Sequence, residues 1–380
     1  MKILTIDVGT GTQDIFLYDS RLDLENGFKL VVPSPTMMVA HRVRAATAAG
    51  RGIVLTGTIM GGGPSHWAVA DHVRAGLPTY ATADAARSFN DDLDVVQNEI
   101  GLTLVGDGEA ARLLRKPEND SIELRDFDWA RIASAFAAFG YTLDVDAVGV
   151  AVFDHGNAPP GYSDRQFRFD YLDARIRAYN RLSAFAFPAD SIPPTMTRLQ
   201  AVVAGYGGDT PLVVTDTAPA AVLGASLDPV VQQRERTLIA NVGNFHTLAF
   251  RLRRSGGIEG VFEHHTGEID RDRLDTLLAA LADSTLRHED VFDDMGHGAL
   301  IYDHEPLRLD EESWGVAVTG PRRALLRGSN HRPYFAVPYG DMMIAGCFGI
   351  LRMMADVLPE YGPAILESLG GRRGSAPWEF

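Results

Sequence analysis

The sequence predicts an α/β protein made of two related halves, and three observations favour this class. The chain opens with an apolar strand, a glycine-rich turn and a returning strand within residues 2–18. From residue 36 onward, segments with helical and strand periodicity alternate, as in proteins with a parallel or mixed sheet. The opening pattern then returns within residues 237–252. At 380 residues, the chain is long enough for two domains with a cleft between them.

The elements of the first half follow from their apolar patterns and from the turn residues between them. We predict strands over residues 2–6, 14–18, 28–32, 52–56 and 147–153, and helices over 36–49, 67–75 and 126–140. The Gly-Gly-Gly-Pro turn at 61–64 either adds phosphate contacts at a helix start or packs as a close turn. The strand that ends at residue 153 delivers Asp154 and His155 into a loop.

The middle of the chain is less regular. Residues 158–194 are rich in Pro and Arg, and a helix over 196–204 and a strand over 212–214 follow them. In the second half we predict strands over 237–240, 246–252 and 315–319 and a helix over 340–355. We therefore predict a first domain over 1–157, a connector or substrate subdomain over 158–210, and a second domain over 211–370 with an insertion rich in His and acidic residues at about 260–304.

Charge and cysteine content exclude several functional classes. The chain has 50 acidic against 35 basic residues, so its field repels nucleic acids and anionic membranes, and we expect neither as a partner. Cys347 is the single cysteine of the sequence, which excludes a disulfide within the chain and a metal cluster held by several thiolates. A single cysteine also fits a reducing compartment, and no long apolar segment precedes the first strand. We therefore expect a cytoplasmic protein.

The first turn, at residues 7–12, has the composition of a phosphate-binding loop. Glycine allows backbone N–H groups to converge on one phosphate, and threonine hydroxyl groups add donors. Asp7 stands at the end of the strand, where a carboxylate can hold Mg²⁺ directly or through water. A β-hairpin with glycine also forms without a ligand, so the recurrence of a similar turn at residues 241–247 is the observation that favours phosphate binding.

The order of several segments resembles the superfamily of actin-like ATPases, heat-shock chaperones and sugar kinases. Residues 6–12 resemble its first phosphate motif, and residues 217–224 resemble the segment that precedes the second phosphate strand in the chaperones. Residues 241–247 stand where the second phosphate motif belongs, and residues 318–322 stand where the adenosine motif belongs. Residues 340–346 resemble the closing helix that packs against the other domain.

This resemblance implies two ribonuclease-H-like domains, ATP in the cleft between them, and closure of the cleft about a hinge. It also implies Mg²⁺ near Asp7 and an ATP-dependent phosphotransferase that acts on a small molecule. The nucleotide-binding residues that it implies are Asp7, Gly9, Thr10, Gly11, Thr12, Gln13, Asn241, Gly243, Asn244, His246, Thr247, Gly320, Pro321, Gly340 and Gly346.

One position departs from the superfamily pattern. The second phosphate motif usually begins with Asp, whereas this chain has Asn241. An amide removes one negative charge from the expected Mg²⁺ site, which argues against ordinary ATP hydrolysis but is compatible with nucleotide binding. The alternative function is therefore a nucleotide-gated binding or scaffold protein with weakened catalysis.

A closer resemblance is to an uncharacterised family of this fold that often carries the name pyruvate formate-lyase activating enzyme. The segments that indicate it are residues 153–157, 263–267 and 296–298. A radical activase of that kind holds an iron–sulfur cluster with three closely spaced cysteines, whereas this chain has one cysteine. We therefore expect the family and reject the activity.

Phosphoryl transfer needs a base at the cleft. Asp154 is the predicted base because it follows a buried strand, and His155 stands beside it. The alternative interpretation is that Asp154 caps a turn and that His155 is a hydrogen-bonded loop residue.

Histidines near glycines or strand ends, together with Glu263, are candidates for a transition-metal site, because imidazole and carboxylate groups suit zinc, iron or manganese. They are His155, His246, His264, His265 and His297, of which His264, His265 and His297 are the tentative ligands. No pair has the i, i+4 spacing of a helical metal motif, and scattered histidines are usually ordinary polar residues. If the site forms, it favours a metal-assisted hydrolase as a further alternative.

Overall fold

The computed structural model describes residues 1–371 and 374–379. Over this range the chain forms sixteen strands, which alternate with helices for most of the sequence and confirm the predicted α/β class. They are β1 (Lys2–Val8), β2 (Thr12–Asp19), β3 (Phe28–Pro33), β4 (Gly52–Gly57), β5 (Thr79–Ala81), β6 (Thr103–Leu104), β7 (Asn119–Leu124), β8 (Ala147–Val152), β9 (Ala186–Pro188), β10 (Leu212–Asp216), β11 (Arg236–Val242), β12 (His246–Arg253), β13 (Ile258–His265), β14 (Gly298–Ile301), β15 (Ala317–Thr319) and β16 (Tyr334–Phe335).

The helices of the described residues cover the faces of these strands. They are α1 (Pro35–Ala48), α2 (Pro64–Arg74), α3 (Ala83–Ala86), α4 (Leu93–Val95), α5 (Asp107–Leu113), α6 (Trp129–Ala138), α7 (Asp164–Tyr179), α8 (Thr197–Ala204), α9 (Thr217–Ser226), α10 (Arg271–Ala282), α11 (His288–Phe292), α12 (Ala345–Val357) and α13 (Gly362–Leu369). None of the described helices combines the length and the apolar content that a membrane crossing requires.

The first sheet has six strands in the order β3-β2-β1-β8-β10-β9. β2 is antiparallel to both β1 and β3, whereas β8 runs parallel to β1 and β10 runs parallel to β8. Parallel strands present their carboxyl ends at the same edge of a sheet, and in α/β sheets ligands bind outside that edge. Asp7, Asp154 and Asp216 stand at or just after these strand ends and therefore come together.

The second sheet repeats this order. Its strands are ordered β14-β13-β12-β11-β15-β16. β12 is antiparallel to β11 and β13, β15 runs parallel to β11, and β16 runs parallel to β15. The series β13-β12-β11-β15-β16 thus corresponds in order and direction to β3-β2-β1-β8-β10. The two halves are related at the level of strand order.

A third sheet lies between β3 and β8 in the sequence. Its four strands are all parallel, in the order β6-β5-β4-β7. They form a core of their own with α1 and α2, which includes Val39, Ile53, Leu55 and Val69. The predicted first domain over residues 1–157 thus contains this whole sheet together with four strands of the first sheet. Apolar periodicity identifies a strand but does not identify the strand with which it pairs.

The sheet limits also differ from the other predicted domain limits. The segment 158–210, predicted as a connector or subdomain, contains β9, which pairs with β10 in the first sheet. β10 itself pairs with β8, although it lies within the predicted second domain. The predicted insertion at 260–304 contains most of β13 and all of β14, which are strands of the second sheet. Strand pairing thus crosses residues 157 and 210, and the domain limits stay a prediction.

Helices α9 and α12 pack directly on each other. At their crossing the Gly224 backbone lies against the Ala345 carbonyl, where an added Cβ atom would be 1.7 Å from the oxygen. α12 is apolar over nearly its whole surface and is buried, as expected for a central helix. The core around it includes Ile3 of β1 and Ile239 of β11, so the two six-stranded sheets share one hydrophobic core.

Candidate functional site

A cleft of about 360 Å³ opens at the carboxyl ends of the first-sheet strands. Its walls come from the turns after β1 and β11, the loop after β8, the glycine turn at 61–63 and the start of α12. Residues that belong to all three sheets or to their connections therefore meet at one place.

Most of the residues that the sequence singles out line this cleft. They are Asp7, Gly9, Thr10, Thr12, Asp154, His155, Asn241, Gly243, Asn244, His246, Gly320, Pro321 and Gly346. Four predicted nucleotide-binding residues are not among the lining residues, namely Gly11, Gln13, Thr247 and Gly340. Thr247 follows His246 in a strand, so its side chain points to the opposite face, where its hydroxyl is 2.9 Å from that of Thr266. Gly340 lies in a 3₁₀ turn that precedes α12. The predicted helix over 340–355 therefore begins only at Ala345.

The two glycine turns are closed by the same backbone hydrogen bond. Gly9 N–H donates to the Thr12 carbonyl at 2.9 Å, and Gly243 N–H donates to the His246 carbonyl at 3.0 Å. Each turn connects the first and second strands of its sheet. The sequence similarity between the turns thus corresponds to a repeated local structure.

The turns also contact each other. The side-chain amide of Asn244 lies against Gly11, where an added Cβ atom would be 2.3 Å from Nδ2. Ser34 supports the first turn from behind, because its hydroxyl donates to the Thr10 carbonyl at 2.6 Å and its N–H donates to the Gly11 carbonyl at 3.2 Å. The two turns therefore lie next to each other at the cleft, which residues of both turns line.

The two glycine turns differ in the carboxylates beside them. Asp7 and Asn241 occupy equivalent positions, each two residues before the closing glycine. Asp14 is opposite Asp7 in the β1–β2 register, whereas Leu248 is opposite Asn241 in the β11–β12 register. The first turn thus carries two carboxylates where the second carries an amide and an apolar side chain.

Both oxygens of Asp7 are held in place. The Thr217 hydroxyl donates to Oδ1. Oδ2 lies against Gly346 at the start of α12, where an added Cβ atom would be only 1.8 Å away. Burial raises the pKa of Asp7 to about 6, and the hydrogen bond from Thr217 offsets part of the rise.

Asp14 has an incomplete set of partners. It is buried, and its Oδ1 atom has no hydrogen-bond partner among the described residues. Burial and then the charge of Asp7 raise the pKa of Asp14 to about 8. Two adjacent carboxylates with a free buried oxygen form a donor set that suits a hard divalent cation such as Mg²⁺.

Asp154 is bound to the backbone through both of its oxygens. Oδ1 accepts the Gly156 N–H and Oδ2 accepts the Leu199 N–H, both at 2.9 Å. This geometry corresponds to the turn-capping alternative stated for Asp154. Burial raises the pKa of Asp154 above its ordinary value, although the two backbone hydrogen bonds oppose the rise. A catalytic role for Asp154 stays a prediction.

A buried ion pair ties the third sheet to the cleft. Arg198 donates to Asp126 through Nε at 2.5 Å and through Nη2 at 2.8 Å. It also donates to the Phe153 carbonyl at the end of β8, while Asp126 accepts the Gly61 N–H at 3.2 Å. The glycine turn at 61–63 is thereby fixed against the first sheet.

Three histidines from separate segments meet at one end of the cleft. His155 follows β8, His246 begins β12 and His297 precedes β14. One ring nitrogen from each lies within 4.8 Å of the others, and Nε2 of His155 is 3.2 Å from Nε2 of His297. The Phe153 ring stacks on His246 with ring centroids 4.0 Å apart. His155 and His246 line the cleft.

Glu263 and Arg168 lie behind these rings. Oε1 of Glu263 is 3.2 Å from Nδ1 of His246 and 3.5 Å from Nδ1 of His297. The distances suit polar contacts, but the directions are not those of regular hydrogen bonds, and none of the three atoms has a hydrogen-bond partner among the residues described. Arg168 donates to Oε2 of Glu263 at 2.9 Å and to Asp216 at 2.6 Å.

The buried site favours a charged Glu263 and neutral rings of His155 and His297. Burial disfavours the charged carboxylate, but the nearby Arg168 charge outweighs it and holds the pKa of Glu263 well below its ordinary value. Burial lowers the pKa of His297 to about 2 and holds the pKa of His155 well below its ordinary range. Neutral imidazole is the form that binds metals or accepts a proton.

The structure separates His264 from the other histidines. Neighbouring residues in a strand point to opposite faces, so Glu263 and His265 share the face of the cluster while His264 points away. Nε2 of His264 is 3.5 Å from Asp294 instead. The His265 ring borders the cluster, with its centroid 4.7 Å from that of His297. Of the tentative ligands, His297 therefore lies in the cluster, His265 beside it and His264 outside it.

Several residues in or behind the cleft are not among the predicted site residues. Asp14 is one of them, although its alternation with Ile15 on a strand after the first turn was a usable signal. Arg168, Arg198 and Asp126 carried no local signal. Their partners are distant in the sequence and are visible only in the folded chain.

Comparisons with known proteins give a family match and weak similarities to solved structures. A family model described as "Putative pyruvate format-lyase activating enzyme (DUF1786)" matches residues 60–325. No curated protein matches. The similar solved structures include a ROK family transcriptional regulator described as a homolog of the E. coli MLC protein, with 9% identity, a TM-score of 0.25, and coverage of 68% of this chain and 37% of that chain.

An exopolyphosphatase-like protein is similar at 8% identity and a TM-score of 0.23, with coverage of 84% of this chain and 65% of that chain. This chain thus spans less than two thirds of either structure, and similarity at these TM-scores carries no functional argument. The name of the matched family conflicts with the single cysteine of the sequence, because a radical activase needs three cysteines for its cluster. The match nevertheless extends over more than half of the sequence, and the chain belongs to this family.

Proposed function

We propose that the protein binds a nucleoside triphosphate with Mg²⁺ in the cleft and transfers its terminal phosphoryl group to a small molecule. The observation that supports the proposal is the pair of glycine turns. They have the same closing hydrogen bond, occupy equivalent places in two sheets of the same strand order, and face one compartment. This arrangement agrees with the resemblance to actin-like ATPases and sugar kinases.

Each part of the cleft has a defined task in this proposal. The N–H groups of the turns and the hydroxyl groups of Thr10 and Thr12 bind phosphate oxygens. Asp7 and Asp14 would hold Mg²⁺, which neutralises phosphate charge during transfer. Thr217 and Gly346 hold the Asp7 carboxylate in place. Gly320 and Pro321 bind the adenosine side of the nucleotide.

The acceptor hydroxyl needs a base, for which Asp154 and His155 are the proposed residues. Both oxygens of Asp154 already accept backbone hydrogen bonds. His155 is neutral and lines the cleft, so it is the better placed of the two. We therefore assign proton removal to His155 and orientation of its loop to Asp154.

The equivalence of Asn241 and Asp7 favours a second candidate function. With an amide in the second turn, the cleft has carboxylates on one side only. A protein with this asymmetry can bind a nucleotide without hydrolysing it, and closure of the cleft would then control a partner. This is the nucleotide-gated scaffold alternative.

Nucleotide binding and turnover distinguish these functions. We expect calorimetry to detect binding of ATP with Mg²⁺, and we expect ADP release when a mixture of small metabolites is added. Asp7→Asn should weaken Mg²⁺-dependent binding about tenfold or more, since hydrogen bonds and contacts to charged groups contribute roughly 1.5–3 kcal/mol. The exposed Asp144→Asn is the matched control and should behave as wild type.

If the protein binds the nucleotide tightly but releases no ADP with any metabolite fraction, the transferase proposal is contradicted and the scaffold function is supported. Absence of nucleotide binding by the wild-type protein would remove both.

A further inference from the structure

We propose that His155, His246 and His297 bind one transition-metal ion, most suitably zinc, and leave one coordination position open toward the cleft. The three rings come from different parts of the chain, yet one ring nitrogen of each lies within 4.8 Å of the others. This site does not depend on nucleotide binding.

The spacing of the ring nitrogens fits a tetrahedral ion. Two nitrogens bound at about 2.0–2.1 Å to a tetrahedral ion are roughly 3.3 Å apart. Nε2 of His155 and Nε2 of His297 are 3.2 Å apart. Small ring movements are therefore enough to bring the third nitrogen, from His246, into the same coordination sphere.

Glu263 is placed to orient two of the ligands. Its Oε1 atom faces Nδ1 of both His246 and His297. If these Nδ1 atoms carry the protons, the Nε2 atoms are free to bind the ion, which is how carboxylates commonly support metal-binding histidines. Within the described part of the chain, the buried Oε1 and Nδ1 atoms lack regular hydrogen bonds. Rotation of the rings onto an ion would give these atoms the partners that they lack.

The charge behind the rings favours a cation. Arg168 lies between Asp216 and Glu263, so these three buried side chains carry one positive and two negative charges. One net negative charge remains. Nε of Arg168 donates to Oε2 of Glu263, so the Oε1 atom, which faces the histidines, is left without this cationic partner. Buried charges are stable only when they are paired. A divalent cation next to Glu263 would pair with this negative charge.

The chemical type and the number of the ligands indicate which metal binds and what kind of site it forms. Three imidazoles without thiolates suit zinc and other first-row transition metals rather than Mg²⁺ or Ca²⁺. Three protein ligands with an open fourth position are typical of catalytic zinc sites. His155 and His246 line the cleft, so the open position faces it. The ligand there would be a water or hydroxyl oxygen, whose pKa the ion lowers. In the metal-bound protein this oxygen would replace His155 as the base, because the ring nitrogen of His155 would be bound to the ion.

The experiment measures metal binding directly, without nucleotide. Chelator-treated protein is titrated with Co²⁺, whose visible absorption reports a tetrahedral site, and Zn²⁺ is then added to displace it. We expect one equivalent of Co²⁺ per chain, displaced by one equivalent of Zn²⁺. His155→Gln should weaken binding at least tenfold. Glu263→Gln should weaken it about 10- to 100-fold, the usual effect of removing a residue behind the ligands.

His66→Gln is the matched control, because His66 also lines the cleft but lies outside the cluster. It should bind Co²⁺ as wild type does. Asp7→Asn should also retain Co²⁺ binding, which separates this site from the proposed Mg²⁺ site. Circular dichroism of each variant with chelator verifies that it is folded. Absence of stoichiometric binding by wild type, or equal affinity in folded His155→Gln, would overturn the proposal.

Discussion

At the scale of single residues, Asp14 occupies a position that destabilises the folded protein, and it is also a proposed Mg²⁺ ligand. Its carboxylate is buried directly opposite Asp7, where two negative charges repel each other. The folded chain therefore binds a proton at Asp14 more tightly than the unfolded chain does. A divalent cation would relieve the same repulsion. A buried carboxylate that lowers the stability of the folded protein is expected where the side chain serves ligand binding.

The pH dependence of stability tests this interpretation of Asp14. Its folded pKa of about 8 is above the ordinary value, so its contribution to stability is complete below about pH 4 and is lost as the pH rises through 8. In the presence of a chelator, Asp14→Asn should lose much less stability than wild type between pH 5 and pH 8.5. Urea unfolding at both pH values measures this difference. An equal loss in the two proteins would contradict the raised pKa.

At the scale of elements, the strand β13 shows how alternation selects ligands. Its last residues are Glu263, His264 and His265, and only the first and third face the cluster. The same rule explains why His246 lines the cleft while Thr247 faces the other side. Alternation can be applied to a sequence only once a segment is known to be a strand. The sequence predicts an insertion and not a strand at residues 263–265, so side-chain alternation could not be used there to select the ligands.

The crossing of α9 and α12 gives a prediction at the same scale. In Gly224→Ala the new methyl group would overlap the Ala345 carbonyl, so the helices must move apart and the shared core must repack. We expect a loss of about 1–3 kcal/mol in the free energy of unfolding. Gly108→Ala in α5 is the control, because its Cβ would meet open space. It should change stability by less than about 1 kcal/mol, in the stabilising direction. Equal urea midpoints for the two variants would contradict the close crossing.

At the scale of the whole molecule, Arg168 joins the two six-stranded sheets. It lies on α7 and pairs with Asp216 at the end of β10 and with Glu263 on β13. Its guanidinium also packs on the Phe153 ring, 4.0 Å from the centroid. The arrangement of the cleft and of the histidines therefore depends on one buried cation between the two halves.

Removal of this cation should destabilise the protein strongly. Arg168→Met leaves two buried carboxylates without their partner, and breaking a buried ion pair in this way costs about 3–5 kcal/mol. Arg177→Met is the control, because Arg177 forms an exposed pair with Asp173 on the same helix. It should cost less than about 1 kcal/mol. Chemical denaturation of both variants measures the difference. Similar stabilities would show that the buried pair contributes little.

The sequence by itself determined the features that depend on neighbours along the chain. Glycine turns, apolar runs and cap residues act over a few positions, so the α/β class, most strands and the equivalence of Asp7 and Asn241 could be predicted. The segments of the matched family could also be recognised, because they are short and continuous.

The tertiary structure decided which distant residues meet. It paired β10 with β8, separated the third sheet, placed His155, His246 and His297 together, and put Arg168 against Glu263 across 95 positions of sequence. These choices depend on strand pairing and on burial shared between sheets. Both are properties of the complete fold, and no local pattern records them.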